Sequence, residues 1–252
     1  MRIDWGGIVP PMQPMQHAPA IVVAPILALA ARLARHCESS AREAQAARGR
    51  FSIAVPGGSV AEHLLPALAA ADLEWDSVDV FFAYERCVPP ESPDSNFGAV
   101  ARTLLSGIRT GKPRVHRMEG ERSDTEHVAI EYADRLRSVL GAPPVLDVAL
   151  LGVGEDGHVA ALFPGRPSLR AADSLVLVED ASPKPPAHRL TLSLQVLARS
   201  REVVVGAFGT AKATAVADAL RNSASTLPLT LLLQRANRVT LLLDQEAASR
   251  VR

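Results

Sequence analysis

Apolar residues along this chain come in two rhythms, short unbroken runs and longer stretches at helical spacing, and the two alternate. From Ala24 to Arg48 an alanine-rich stretch carries Ile26, Leu29, Ala30 and Leu33 on one face and stops at Gly49, which predicts a first helix. Phe51–Val55 is a short buried strand, and Pro56-Gly57-Gly58-Ser59 turns it into a second helix from Val60 to Ala71. Val78–Ala83 is the next strand; a polar loop from Tyr84 to Gly98 leaves it, and a helix follows to about Leu105. Val115 and Met118 mark a short strand, and Asp124–Leu140 is a helix opened by Ser123 or Asp124. Val148–Val153 is a continuous apolar run, a buried strand followed at once by glycines, carboxylates and a histidine. Leu175–Val178 reads as a strand between loops at Ser168 and Ser182–Pro186, and His188–Leu194 alternates like a strand turning Arg189 and Thr191 to a cleft. Val203–Phe208, a glycine turn at Gly209-Thr210-Ala211-Lys212 with a helix after it, and a last strand at Val239–Leu243 complete the pattern. This alternation predicts one α/β domain, a mostly parallel sheet with helices on both faces.

Composition narrows the function classes. With 252 residues, 48% hydrophobic and 4% aromatic, the chain has aliphatic material for a sizeable core and too few aromatics for a surface that stacks bases. Lys+Arg and Asp+Glu both number 27, so bulk charge gives no footprint for nucleic acid or for an anionic membrane. No apolar run approaches the ~20 residues of a membrane helix. Cys37 and Cys87 have neither CxxC spacing nor partners for a disulfide framework, which suits a reducing cytoplasm. The expectations are a cytoplasmic protein, a monomer or weak homo-oligomer, with residues 1–19 as a mobile tail carrying no signal peptide and 20–252 as the domain.

The chemistry gathers where strands end, which is where an open α/β sheet holds its ligand. In LDVALLGVGEDGHVAALFPG, Leu146 to Gly165, the turn holds Glu155, Asp156 and His158. His158 is the first candidate, because an imidazole titrates close to neutral pH and serves as a general base. Asp156 or Glu155 could hold the imidazole in the useful tautomer; alternatively the Asp-Gly pair is only a turn. Gly57, Gly58 and Ser59 form either a tight strand-to-helix turn or an anion site at a helix N-terminus. Arg86 offers a fork for phosphate or carboxylate with Glu85 orienting it, or else a structural ion pair, while Ser95 and Asn96 either cap the next helix or touch ligand. Lys212 stands at a helix start, where a cation opposes the helix dipole and a bound anion would account for it better than helix stability does; alternatively it is a solvated surface lysine. Asp156 and His158 have no third ligand nearby for a metal.

Four of these segments together resemble the 6-phosphogluconolactonase family: the Gly57-Gly58-Ser59 turn, ERCVPPESPDSNFG, LDVALLGVGEDGHVAALFPG, and SPKPPAHRLTLSL with Lys212 after it. They come in that family's order, and the likeness runs from Ala24 to Ala247. The resemblance implies a Rossmann-like α/β fold related to glucosamine-6-phosphate deaminases, and hydrolysis of 6-phosphoglucono-δ-lactone in the oxidative pentose phosphate pathway without metal or redox cofactor. It also implies substrate binding by Gly57, Gly58, Ser59, Arg86, Asn96, Arg189 and Lys212, and catalysis by His158 with Asp156. The departures are informative. Tyr84 stands where lactonases commonly carry an aspartate, and Phe163 where the deaminases carry a glutamate five residues after the histidine, so the proton-shuttling carboxylates of an isomerase are missing. Val60, Val159 and Ala161 replace hydroxyl residues frequent in the family; Tyr84 and Val60 leave a catalytically weak sugar-phosphate-binding relative as one alternative, beside a sugar-phosphate isomerase or deaminase that Tyr84 and Phe163 disfavour.

Overall fold

A computed structural model of the chain describes residues 18–171 and 173–251. In chain order its elements are β1 (Ala20–Val23), α1 (Ile26–Arg48), β2 (Phe51–Val55), α2 (Gly58–Ala69), β3 (Val78–Phe82), β4 (Tyr84–Arg86), α3 (Asn96–Thr103), β5 (Arg114–His116) and α4 (Thr125–Leu140). Then come β6 (Val148–Gly152), β7 (Val176–Glu179), β8 (Arg189–Leu192), α5 (Leu194–Arg199), β9 (Glu202–Ala207), α6 (Ala213–Arg221), α7 (Pro228–Arg235) and β10 (Val239–Leu243). Seven strands form one parallel sheet in the order β1-β10-β9-β6-β2-β3-β5. Every residue of β2, β3 and β9 is buried, which explains why these strands read as unbroken apolar runs rather than alternating ones.

The strand order locates the ligand crevice. From β1 the chain crosses to β2 and steps outward through β3 to β5; from β5 it returns through β6 and β9 to β10. Right-handed crossovers running in opposite directions place their helices on opposite faces, so α1 to α3 cover one face and α4 to α7 the other. The packing agrees: α2 contacts both α1 and α3, and α7 contacts both α5 and α6. The direction reverses between the neighbouring strands β2 and β6, and the crevice opens beyond their carboxyl ends. At the opposite end, buried carboxylates tie the strand starts together. Asp147 accepts from Ser52 N and Oγ and pairs with Arg48, and Asp79 is gripped by Arg50, Arg114 and His116.

Several elements lie outside the sequence reading. β1 was not expected, being a four-residue edge strand next to the supposed tail; residues 1–17 lie outside the described residues. Tyr84–Arg86, expected as loop, is a strand in a second, antiparallel sheet ordered β4-β8-β7. Its partner β8 comes much later in the chain, so no local pattern announces the pairing. α5 and α7 were likewise unforeseen, with six and eight residues. The alternation in β8 also misleads: all four of its residues are buried, and the Thr191 hydroxyl accepts Ala161 N–H and donates to Leu192 O instead of facing a cleft. Among the described residues no helix is long and apolar enough to cross a membrane.

Candidate active site

The turn after β6 is a closed knot of backbone hydrogen bonds. Gly154 N–H donates to His158 O at 2.8 Å, Gly157 N–H donates to Gly154 O at 3.0 Å, and Val159 bridges to both Val153 and Leu162. The first turn of α7 braces it from outside, with Leu229 N–H donating to Gly157 O at 3.0 Å. His158 therefore stands on rigid backbone at the carboxyl end of a central strand. Its Nδ1 lies 2.6 Å from Asp156 Oδ1, and the same oxygen accepts His158 N–H at 3.3 Å. With the proton on Nδ1, Nε2 is left as an acceptor. Burial works against ionisation of Asp156, but the hydrogen bond and charge of His158 outweigh it and hold the carboxyl down at about 2. Of the two acids left open by the sequence, Asp156 takes the imidazole, and Glu155 is exposed with its charge facing Lys212. Gly154 is required by this arrangement, since a Cβ there would sit 2.0 Å from His158 Nδ1.

The ring of Phe163, 1% exposed, links the imidazole to the cations. It lies 4.6 Å from the His158 ring, and the Arg189 guanidinium lies 5.4 Å above its centroid. Arg189 pairs in register with Arg86 across β4 and β8. Its Nη2 donates to Lys184 O at 2.8 Å and its Nε to Pro186 O at 3.2 Å, so the SPKPPA loop holds the fork in place. Burial lowers the Arg189 pKa, with the neighbouring Arg86 charge acting in the same sense. Lys212 closes a 3-10 turn at Thr210–Lys212 ahead of α6, and burial lowers its pKa against the pull of Glu155 and Asp156. Asp244 holds that turn by accepting Gly209 N–H on both carboxylate oxygens, at 3.1 and 2.9 Å.

Arg86 donates from Nη1 to Asp94 O at 2.7 Å and more weakly to Asn96 Oδ1 at 3.4 Å, while its buried Nε meets no acceptor. Glu85 does not orient the guanidinium, contrary to expectation. Its carboxylate is 2% exposed and accepts the backbone N–H groups of Arg86, Asn96 and Phe97, each at 2.7 Å. Burial outweighs these amides and raises the Glu85 pKa. Ser95 is the cap of α3, accepting Gly98 N–H at 3.1 Å. Asn96 is fully buried, and its Nδ2 donates to Tyr84 O at 2.8 Å. Its side chain thus serves the loop rather than offering surface to a substrate, a correction to the sequence reading. It also abuts Gly57, where a Cβ would lie 1.9 Å from Asn96 Oδ1.

Gly57 is the N-cap of α2 without any side-chain cap, so the amides of the first helical turn, starting at Gly58 and Ser59, are free to meet an anion. Gly58 and Ser59 are exposed and Gly57 is buried. Val60, Val159 and Ala161 are buried, at 1%, 0% and 0% exposure, and Val60 packs against Gly152 and Gly206 near the carboxyl ends of β6 and β9. Two participants escaped the sequence reading. Lys184 adds a charge felt at Lys212, and its one signal was a lysine set among prolines. Phe163, which stands where the deaminases carry a glutamate, also bridges the imidazole and Arg189.

These features define an open α/β protein with a carboxylate-supported imidazole and a group of cations at the sheet's reversal, suited to a small anionic substrate. The family described as glucosamine-6-phosphate isomerases/6-phosphogluconolactonase matches residues 27–241, and the chain belongs to that family. It is 36% identical over 222 residues to 6-phosphogluconolactonase of Streptomyces coelicolor, covering 83% of this chain and 85% of that one. The 6-phosphogluconolactonase of Mycobacterium leprae is also 36% identical, over 84% of this chain and 90% of its own. Among solved structures, 6-phosphogluconolactonase from Trypanosoma brucei superposes with a TM-score of 0.81 at 29% identity, covering 93% of this chain and 99% of that one.

Proposed function

We propose that this chain hydrolyses 6-phosphoglucono-δ-lactone to 6-phosphogluconate, with His158 as the general base. The observation that carries the reading is the 2.6 Å His158–Asp156 pair in the crevice, with Phe163 joining it to Arg189. His158 Nε2 takes a proton from water as the water oxygen attacks the lactone carbonyl carbon. The carbonyl oxygen becomes the tetrahedral oxyanion, for which free amides of the glycine turns are the available donors. Collapse breaks the bond to the ring oxygen, which leaves as a hydroxyl after receiving the proton back from the imidazolium. Asp156 accepts from Nδ1 throughout, steadying the charge that forms on the ring. Arg86, Arg189 and Lys212 hold the phosphate, and that remote binding sets the lactone against the base. The reading places the protein in the cytoplasm, consistent with unpaired Cys37 and Cys87, and as a monomer or weak homo-oligomer.

The test measures lactone hydrolysis above the spontaneous background for the native chain and for His158→Ala. General-base removal is expected to slow turnover about 10²- to 10⁴-fold while phosphosugar binding persists. Turnover by the variant at the native rate would remove His158 from the mechanism, and no turnover by the native chain would leave a sugar-phosphate-binding relative.

A further inference from the structure

A second concave site lies on the α1 face of the sheet, a cleft of about 250 Å³ between α1 and the strands β9 and β10. Its floor is apolar, formed by Leu33, Val204 and Leu242, each 2% exposed or less. Its rim is cationic: Arg32 and Arg35, one helical turn apart, both line it, and no carboxylate does. Neither arginine has an ion pair or side-chain hydrogen bond with any described residue. The acids that might neutralise them are engaged elsewhere. Glu38, one turn beyond Arg35, accepts the Asp72 amide at 3.0 Å. Glu202 is held by His36 at 3.0 Å, Thr240 at 3.2 Å and Arg238 at 3.7 Å. None of the lining residues belongs to the catalytic crevice.

We infer that this cleft binds a small phosphate monoester with an apolar body. Two guanidinium forks beside each other, without an ion-pair partner among the described residues, match a dianion that offers three acceptor oxygens, whereas a single carboxylate satisfies only one fork. Like charges one turn apart on a helix oppose folding slightly, so the pair has no internal stabilising role to explain it. The floor supplies the second half of the recognition, since a hydrocarbon or aromatic group seated there meets the apolar side chains Leu33, Val204 and Leu242 in van der Waals contact.

Phenyl phosphate is the probe, titrated into the full chain with backbone amide shifts followed by NMR, and inorganic phosphate and benzoate serve as comparisons. Phenyl phosphate is expected to shift Arg32 to His36 and Thr240, and to bind more tightly than either comparison. Arg32→Gln/Arg35→Gln removes both charges and keeps polar, helix-compatible side chains at two exposed positions, and should weaken phenyl phosphate binding about ten- to a hundredfold while lactone hydrolysis stays at the native rate. Shifts confined to the catalytic crevice, an unchanged affinity in the double variant, or inorganic phosphate binding as tightly as phenyl phosphate would each overturn the inference.

Discussion

One methyl group at Gly154 is enough to test whether the imidazole works as a supported base. A Cβ there would lie 2.0 Å from Nδ1 and 2.2 Å from Cε1 of His158, and 2.5 Å from Oδ1 of Asp156. Comfortable non-bonded separations are about 3.5–4.0 Å, so the ring has to retreat by more than about 1 Å or the turn has to open. Gly154 itself is outside the left-handed region, and alanine therefore brings the clash without added backbone strain. What is lost is the 2.6 Å bond to Asp156. The drop of the Asp156 carboxyl from 3.8 to about 2 would correspond to about 2.5 kcal/mol, and since the side chain is 36% exposed, solvent screening reduces this to about 1 kcal/mol. Stability should fall by that small amount, whereas a base displaced by about 1 Å costs about a hundredfold in rate. Gly154→Ala should therefore lower kcat on the phosphorylated lactone about a hundredfold, measured by pH-stat titration above the uncatalysed background, with a cooperative melt close to the native one. Native kcat in a well-folded variant would refute the argument, because it would show that hydrolysis does not need His158 where Asp156 holds it.

Two further predictions concern the cations and the far end of the sheet. Lys212→Met removes the charge and keeps the stem; it should raise KM for the phosphorylated lactone about tenfold and leave the unphosphorylated lactone unchanged, and an equal loss on both substrates would detach Lys212 from the phosphate. For Asp79, burial favours the neutral form, but hydrogen bonds from His116, Arg114 and Arg50 outweigh it and hold the carboxyl below the usual range. Its contribution to stability is present above the ordinary carboxylate pKa and is lost as pH falls toward the lowered one, so the Tm should drop between pH values of about 4 and 2. Asp79→Asn should lower the Tm at neutral pH and flatten that acid dependence; an unchanged acid profile would mean that other carboxylates govern it.

How far the sequence could be read follows from what each element depends on. β2, β3, β6, β9 and β10 are buried on both sides, so their apolar runs announce them locally, and α1 and α4 are long enough for helical spacing to show. β4 exists only because β8 returns to pair with it, and its polar residues read as loop. β1 is exposed at the sheet's edge with a partner at the far end of the chain. In the site, the Asp156–His158 spacing already put a carboxylate within reach of the ring. The role of Glu85 was misjudged because its orientation depends on the first turn of α3 folding over it, a long-range fact that an acid beside an arginine does not reveal. The same holds for Asn96, whose close approach to Gly57 joins two loops that are distant in the chain.

Positions 163 and 84 are where this chain departs from the pattern of the related deaminases. In the deaminase branch a glutamate five residues after the histidine adds a second carboxylate, and an acid at position 84 moves a proton on the sugar. Here Phe163 is closed in the core, its ring in contact with the imidazole on one side and under the Arg189 guanidinium on the other. A carboxylate at that depth would be drawn to Arg189 and would offset the guanidinium charge. An aromatic ring carries no charge to offset the guanidinium and still meets it with its face, 5.4 Å from the ring centroid. Tyr84 likewise puts a phenol where the deaminases carry an acid, and its backbone carbonyl anchors Asn96. With Phe163 and Tyr84 at those positions, Asp156 is the one acid hydrogen-bonded to His158 among the described residues. That arrangement suits a single proton taken from water and returned to a leaving ring oxygen, and it lacks the second acid-base group that shuttling protons between neighbouring sugar carbons requires.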